Sequence, residues 1–230
     1  MISIILPTLN EADTLDQSLR ELLGQVGNFE VIVADGGSTD GTRRVAERFP
    51  GVRWVSSGAG RGRQMNEGAR RARGEILLFL HADTVLPPRA LTGIEGALSD
   101  PSVAAGSFWL RFSHPGGFFR VLSSLSRVNH RYFTYGDQAL FLRAETFRQI
   151  GGYKEIPVME DAEILKRLRR VGTFVKIRMP VATSARRYLQ KGLLRQHAIT
   201  SGVVLLFHLG VSPHLLGRWY YGRSQKTGEG

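Results

Sequence analysis

The chain contains no cysteine. That excludes a disulfide scaffold, a cysteine-ligated zinc or iron–sulfur site and a thiol nucleophile, and it fits a reducing compartment. Long apolar runs are also missing. A membrane-spanning helix needs roughly 20 predominantly apolar residues. The nearest approach is residues 196–217, where 22 positions lack Lys, Arg, Asp and Glu but include His197, His208, His214 and Pro213. This stretch reads as a buried or interfacial helix. The opening run Met1-Ile2-Ser3-Ile4-Ile5-Leu6 has no basic segment and stops at Pro7, so it does not read as a signal peptide. No His pair has the HExxH spacing of a metalloprotease. Acidic residues are scarce in the second half: after Glu163 none occurs until Glu229, while 13 basic residues do.

What is present is ordinary in bulk and lopsided in detail. The 230 residues are 42 % hydrophobic and 22 % charged, usual for a globular chain that can bury its own core. The net charge is +11. Residues 1–115 carry 12 Lys+Arg against 13 Asp+Glu, and residues 116–230 carry 19 against 7. An excess of this kind points to nucleic acid, a phosphate-rich ligand or an anionic membrane. An arginine-rich composition (26 Arg, 5 Lys) is the plain alternative.

Residues 2–6 and 30–34 are short apolar runs ended by turn residues, the mark of strands buried on both faces. Between them Leu15, Leu19, Leu22, Leu23 and Val26 form one helical face closed by Gly27-Asn28. This is a strand–helix–strand crossover. It continues with a helix over 41–48, a strand over 52–55, a helix over 63–73 and a buried strand over 75–80. Such alternation predicts a parallel sheet covered by helices. Further on, a helix is expected over 89–98, strands over 103–112 and 139–143, and a helix near 160–171. Residues 114–136 are aromatic and Gly-rich with weak periodicity.

Ligands of open parallel sheets bind beyond the carboxyl ends of the strands. Three polar loops follow strands here: Pro7-Thr8-Leu9-Asn10-Glu11, then Asp35-Gly36-Gly37-Ser38-Thr39-Asp40-Gly41, then His81-Ala82-Asp83-Thr84. Asp35 can accept hydrogen bonds from a base or ribose, or can simply close its turn. Asp83 can hold a divalent cation together with diphosphate oxygens, or can cap the next helix. Gly58-Ala59-Gly60-Arg61-Gly62-Arg63-Gln64 resembles a dinucleotide fingerprint, but Arg63 stands at the third glycine position and the run follows the third strand. It reads as a flexible basic loop. Glu160-Asp161 opens a helix, where carboxylates suit the dipole and where one can serve as a general base. Arg186-Arg187 before Tyr188 is a candidate diphosphate clamp.

In order, these segments resemble family 2 glycosyltransferases of the GT-A fold. The resemblance runs from Ser3 to about Tyr188 and rests on the loops at 7–11, 35–40 and 81–83, then Gly136-Asp137-Gln138 and Glu160-Asp161. It is similar above all to a small bacterial subgroup with GRGRQMNEGA, HADT, YGDQ, MED and SARR stretches. The resemblance implies an α/β fold of GT-A type: a mostly parallel sheet, a Rossmann-like nucleotide half and a C-terminal helical extension. It implies a hexosyltransferase-type enzyme moving a sugar from a nucleotide-diphosphate sugar to an acceptor hydroxyl with inversion.

Site residues follow from the same resemblance. Asp35 would meet the nucleobase over a floor of Pro7, Leu9 and Glu11, with Arg61 or Arg63 beside the base. Thr8, Asn10, Gly36, Gln64, His81, Ala82 and Arg187 would complete the nucleotide-sugar site. Asp83 would hold Mg²⁺ or Mn²⁺. His81 stands where the wider family usually has an acid. Gly136, Asp137 and Gln138 would border sugar and acceptor. Asp161, beside Glu160, would be the general base.

The expected organisation is one catalytic domain over 1–188, divided near residue 100 into nucleotide-sugar and acceptor halves. A helical extension over 189–222 and a disordered tail over 223–230 follow. Basic flanks around 196–217 (Lys191, Arg195, Arg218, Arg223) suit an anionic lipid surface and a lipid-linked acceptor. Expected localisation is cytoplasmic, at the inner membrane face. Two other readings stay open: a nucleic-acid module using the basic half, without a recognisable RNA or helix-turn-helix motif, and an NAD-type oxidoreductase based on Gly58–Arg63.

Overall fold

The computed structural model describes residues 1–225, except the side chains of 187, 190, 191, 194 and 222–225. The first strand, β1 (Ile2–Thr8), lies at the centre of its half of the sheet. Alternate strand residues face opposite sides: Ile2, Ile4 and Leu6 enter one buried cluster and Ile5 the other. A continuous apolar run is therefore what a strand covered on both faces requires. Next come α1 (Ala12–Leu23), β2 (Phe29–Asp35), α2 (Thr42–Ala46), β3 (Val52–Ser56), α3 (Arg61–Arg71) and β4 (Ile76–Phe79). The strands run β3-β2-β1-β4, all parallel. Every element expected here is present. Leu15, Leu19 and Leu22 of α1 join the cluster of Ile2, Ile4 and Leu6. Each such side chain contributes about 1.5–3 kcal/mol on burial. On the other face, α3 sits close to β1 because Gly68 has no side chain; a Cβ there would fall 2.5 Å from Cγ2 of Ile5.

The second half comprises β5 (Thr84–Val85), α4 (Ala90–Leu98), β6 (Val103–Phe112), α5 (Gly117–Leu125), a 3₁₀ turn at Gly136–Gln138, β7 (Leu140–Arg143), α6 (Ala144–Gln149), α7 (Glu160–Val171) and β8 (Thr173–Thr183). The sheet continues β4-β7-β6-β8-β5. β7 is antiparallel to β4 and β6, β6 is parallel to β8, and β5 is antiparallel to β8. The parallel pattern thus gives way to a mixed one where the sequence rhythm loosens.

Five elements of this half go beyond the expected set: β5, α5, the 3₁₀ turn, α6 and β8. The last has the clearest physical reason for being hidden. Its residues mix Lys176, Arg178 and Pro180 with apolar positions, and the register against β6 slips between Phe108 and Trp109, from Ile177 to Pro180. Proline is tolerated in a sheet at such irregularities, and the slip breaks the strict alternation that marks a strand.

The chain ends with α8 (Arg186–Lys191), α9 (Leu193–His208) and α10 (Pro213–Gln225). The expected single helix over 196–217 is two helices. Gly210, at φ +92°, takes the left-handed conformation that closes a helix, and Pro213 opens the next one. Val203, Val204 and Leu216 share a buried cluster with Val158, Met159 and Ala162, so the extension packs against the start of α7. Of the expected disordered tail, residues 223–225 are helical, and 226–230 lie outside the described residues. Among the described residues no helix is long and apolar enough to cross a membrane.

Candidate active site

The parallel register brings the carboxyl ends of β1, β2 and β4 abreast: Thr8 pairs with Asp35, and Ile5 with Phe79. The loops after them are tied together. The Asn10 amide donates to Ser38 Oγ at 2.9 Å, and the Thr39 amide donates to Asn10 Oδ1 at 2.9 Å. Glu11 receives a hydrogen bond from Thr14 Oγ1 at 2.7 Å and from Arg186 of α8 at 3.2 Å. Arg186 therefore draws α8 over the first loop, a link between distant segments that no local pattern reveals. Arg187 stands in the first turn of α8; its side chain lies outside the described residues.

Asp35 is buried, and one oxygen accepts the amides of Gly37 and Ser38 at 2.9 and 3.0 Å. It closes its own turn. Pro7 is half-buried, while Leu9 is 46 % exposed, an apolar side chain left open on the rim. Thr8 is buried, and its Oγ1 has no partner among the described residues.

The expected basic loop is different in structure. Only residues 58–60 are loop; Arg61, Gly62, Arg63 and Gln64 form the first turn of α3. Gln64 is buried, not open to a nucleotide. Its amide nitrogen donates to the carbonyls of Thr8 (2.6 Å) and Ala34 (2.9 Å), holding the ends of β1 and β2 together, and it packs against Gly36. The Arg63 guanidinium lies over Gly58. Arg61 turns the other way and pairs with Glu160 at 2.6 Å. Glu160 is buried; burial pushes its carboxyl up while Arg61 pulls it back. For Arg61, burial acts downward, but the charges of Glu160 and Asp161 outweigh it and hold the guanidinium above its ordinary value.

Asp161, one residue on, faces elsewhere, as the roughly 100° step of a helix requires. Its Oδ2 accepts the Gly136 amide at 2.9 Å and its Oδ1 the Ala162 amide at 2.8 Å. A Cβ on Gly136 would lie 3.2 Å from the Asp161 Cβ and 3.5 Å from His81 Nε2. Asp161, Gly136 and the His81–Asp83 loop thus meet at one point, because β7 runs back beside β4 and delivers the 3₁₀ turn to the carboxyl end of β4. Ala82 is buried, and its carbonyl accepts Ser18 Oγ.

Asp137 lies in the same turn. Burial first, then Asp161 and Asp83, push its carboxyl up to about 7. Its Oδ1 is buried without a partner among the described residues. Gln138 is buried and its Oε1 accepts from Lys176 Nζ at 2.8 Å; Lys176 also donates to the Phe133 carbonyl at 3.0 Å. Burial lowers Lys176 to about 8, with Arg169 acting the same way and Asp137 opposing. Lys176 escaped the sequence reading because its strand did.

Crowded carboxylates with an orphaned oxygen are the environment a divalent cation would relieve. Among the described residues no three His, Asp or Glu side chains converge as a complete metal cage. The set fits a cation held by one or two carboxylates and completed by ligand phosphates and water.

A sheet of this order, with its nucleotide-type loops on one edge, defines a GT-A glycosyltransferase fold. The mannosyltransferase PcManGT from Pyrobaculum calidifontis, solved in complex with GDP-Man and Mn²⁺, superposes with a TM-score of 0.64 at 26 % identity, over 79 % of this chain and 56 % of that one. Glucosyl-3-phosphoglycerate synthase from Mycobacterium tuberculosis, solved with Mn²⁺, UDP and glucosyl-3-phosphoglycerate, matches in fold with a TM-score of 0.64 at 20 % identity, over 92 % of this chain and 81 % of that one. Residues 3–151 match the model of glycosyl transferase family 2, and the chain belongs to that family. It is similar to glycosyltransferase AglJ of Haloferax volcanii, 28 % identical over 66 % of this chain and 49 % of that protein. It also resembles a PGL/p-HBAD biosynthesis glycosyltransferase of Mycobacterium bovis, 42 % identical over 37 % of this chain and 36 % of that protein. The chain spans half or less of the length of these two relatives.

Proposed function

We propose that the protein transfers a sugar from a nucleotide-diphosphate sugar to an acceptor hydroxyl, with inversion and with a divalent cation. The observation that carries this is the meeting of Asp161, Gly136 and the His81–Asp83 loop on the edge of the sheet. The base would rest on the exposed side chain of Leu9, beside Asp35. Asp83, with Asp137 next to it, would hold Mg²⁺ or Mn²⁺; when bound, the cation neutralises charge on the leaving diphosphate. Arg187, in the first turn of α8, would add a second positive charge there. Asp161 takes the acceptor proton, and its two amide contacts aim the carboxylate before substrate arrives. Glu160 holds Arg61 at the back of the site. Glu160 supports, and Asp161 reacts.

Membrane contact belongs to the same proposal. Leu205 (57 % exposed) and Leu209 (72 %) on α9 and its end, and Leu215 (52 %) on α10, are open apolar side chains, and Arg195 on α9 and Arg218 on α10 are exposed on the same two helices. They suit an anionic lipid surface. Retention on anionic but not neutral vesicles is the expected outcome, and equal retention on both would remove this part.

The enzymatic part is tested by nucleoside-diphosphate release from UDP-, GDP- and dTDP-sugars, with Mn²⁺ or with chelator. Metal-dependent release from one donor is expected. Neither release nor binding of any donor would overturn the reading.

A further inference from the structure

A second cleft opens at the carboxyl end of β6, with a volume of about 660 Å³. Arg111 at the end of that strand, and Arg120 and Arg127 on and just after α5, line it, together with Ser113, His114 and Ser123. No acidic side chain lines it. Some exposed arginines elsewhere pair with carboxylates, as Arg20 does with Asp16, Arg43 with Glu47 and Arg186 with Glu11. Arg111, Arg120 and Arg127 have no ion pair among the described residues. The Arg127 guanidinium lies over the Trp109 ring, 5.1 Å from its centroid. That ring holds one guanidinium in place. Three like charges lining one cleft repel one another, and an anion held between them would offset that repulsion.

The position ties the cleft to the transferase site. Phe112 pairs with Thr183, and Thr183 pairs with Thr84, the neighbour of Asp83. Strands lie about 4.8 Å apart, so the cleft mouth is roughly 10 Å from the Asp83 loop along the sheet edge. Its apolar floor, Phe112 and Phe119, packs edge-on against Tyr188 of α8, the helix that Arg186 ties to Glu11. A ligand of modest size can therefore occupy both places.

We infer that this cleft is the subsite for a phosphoryl group carried by the acceptor, an inference that rests on the transferase reading above. Three guanidiniums and three serine hydroxyls around one cleft suit a dianionic phosphoryl group, with forked donors for several oxygens, better than a single carboxylate. The group could belong to a soluble phosphate ester or to a lipid phosphomonoester; the chemistry of recognition is shared.

Binding of inorganic phosphate to the full chain, followed by ³¹P line broadening at physiological salt, tests this. The comparison is with Arg120→Gln and with the triple variant Arg111→Gln/Arg120→Gln/Arg127→Gln. Saturable binding that weakens about tenfold for each guanidinium removed is expected. Arg120 is exposed on a helix surface, so the single variant keeps the test valid if the triple variant does not fold. Absence of saturable binding, or equal binding by wild type and Arg120→Gln, would overturn the inference. Co-sedimentation with phosphatidic acid vesicles in phosphatidylcholine separates the sources. Retention lost together with phosphate binding assigns a lipid phosphomonoester, and retention unchanged while phosphate binding is lost assigns a soluble ester. Nucleoside-diphosphate binding by the unsubstituted chain tests the transferase reading independently. Phosphate binding without it would leave the cleft in place and remove that reading.

Discussion

The backbone amide of Gly136 donates to Oδ2 of Asp161 at 2.9 Å, joining a 3₁₀ turn to the first turn of α7 across 25 residues. The contact fixes the direction of the carboxylate without any side-chain intermediary. It also places the turn against His81, so Asp161, the proposed base, and the loop carrying Asp83 share one wall. A general base works through its geometry first, and here the geometry is set by the backbone.

Asp161→Asn keeps the shape but has one acceptor oxygen in place of two, so it retains only one of the two amide contacts, and it cannot take a proton. Turnover should fall by about 10²–10⁴-fold while nucleotide-sugar affinity stays near wild type. Donor titration and nucleoside-diphosphate release measure the two separately. Unchanged turnover would place the base elsewhere.

Gly136→Ala inserts a methyl 3.2 Å from the Asp161 Cβ. The carboxylate must give way by a few tenths of an ångström. Misplacement of a reacting group by about 1 Å can cost 10²-fold, so turnover should drop by about tenfold with only a small change in melting temperature. A variant that melts much earlier but turns over normally would show that Gly136 matters for packing alone.

Arg61→Met leaves Glu160 buried at 2 % exposure without its ion-pair partner. Because Arg61 itself is 43 % exposed on its side chain, the loss should be near the cost of an unsatisfied buried group, about 1–3 kcal/mol. Adding Glu160→Gln should recover part of it. Chemical denaturation of the two variants gives the comparison, and a double variant no better than the single one would show that the pair is not what stabilises this corner.

Asp137 sets a pH dependence. Its carboxyl lies at about 7 in the folded chain against 3.8 ordinarily, from burial and from Asp161 and Asp83. Between those values the folded state holds a proton that the unfolded state has released. Its contribution to stability is therefore complete below about pH 4 and is lost as pH rises through about 7. Metal-free protein followed by thermal melting should lose stability over this window, and Asp137→Asn should flatten the slope. An unaltered slope in Asp137→Asn would assign the dependence to other groups.

The nucleotide half was legible because its order is local. Ile2–Leu6 and Val31–Ala34 read as buried strands from apolar content alone, and Leu15, Leu19 and Leu22 mark a helix by spacing. The loops after such strands must share an edge, so Asp35 and Asp83 could be placed together from residue order. The acceptor half was less legible because its cues are tertiary. β8 carries Lys176 and Pro180 and is paired across a register slip. Gln64 stands in a stretch that read as a basic loop, yet it faces inward to two carbonyls. Nothing in the adjacency of Glu160 and Asp161 says which one meets Arg61 and which meets Gly136.

By itself, then, the sequence determined the parallel half of the sheet, the three loops at its edge and the start of α7 at Glu160. Apolar periodicity and turn residues act over a few positions, and those features need no more. Only the tertiary structure decided that β7 runs back against β4, which carries Gly136 to Asp161. Only it split the uncharged run 196–217 into α9 and α10 against α7, and gathered Arg111, Arg120 and Arg127 around one cleft. The physical reason is that charge placement and hydrogen-bond partnership depend on which distant strands pair. Pairing across the mixed half of the sheet is set by the packed whole rather than by any one segment.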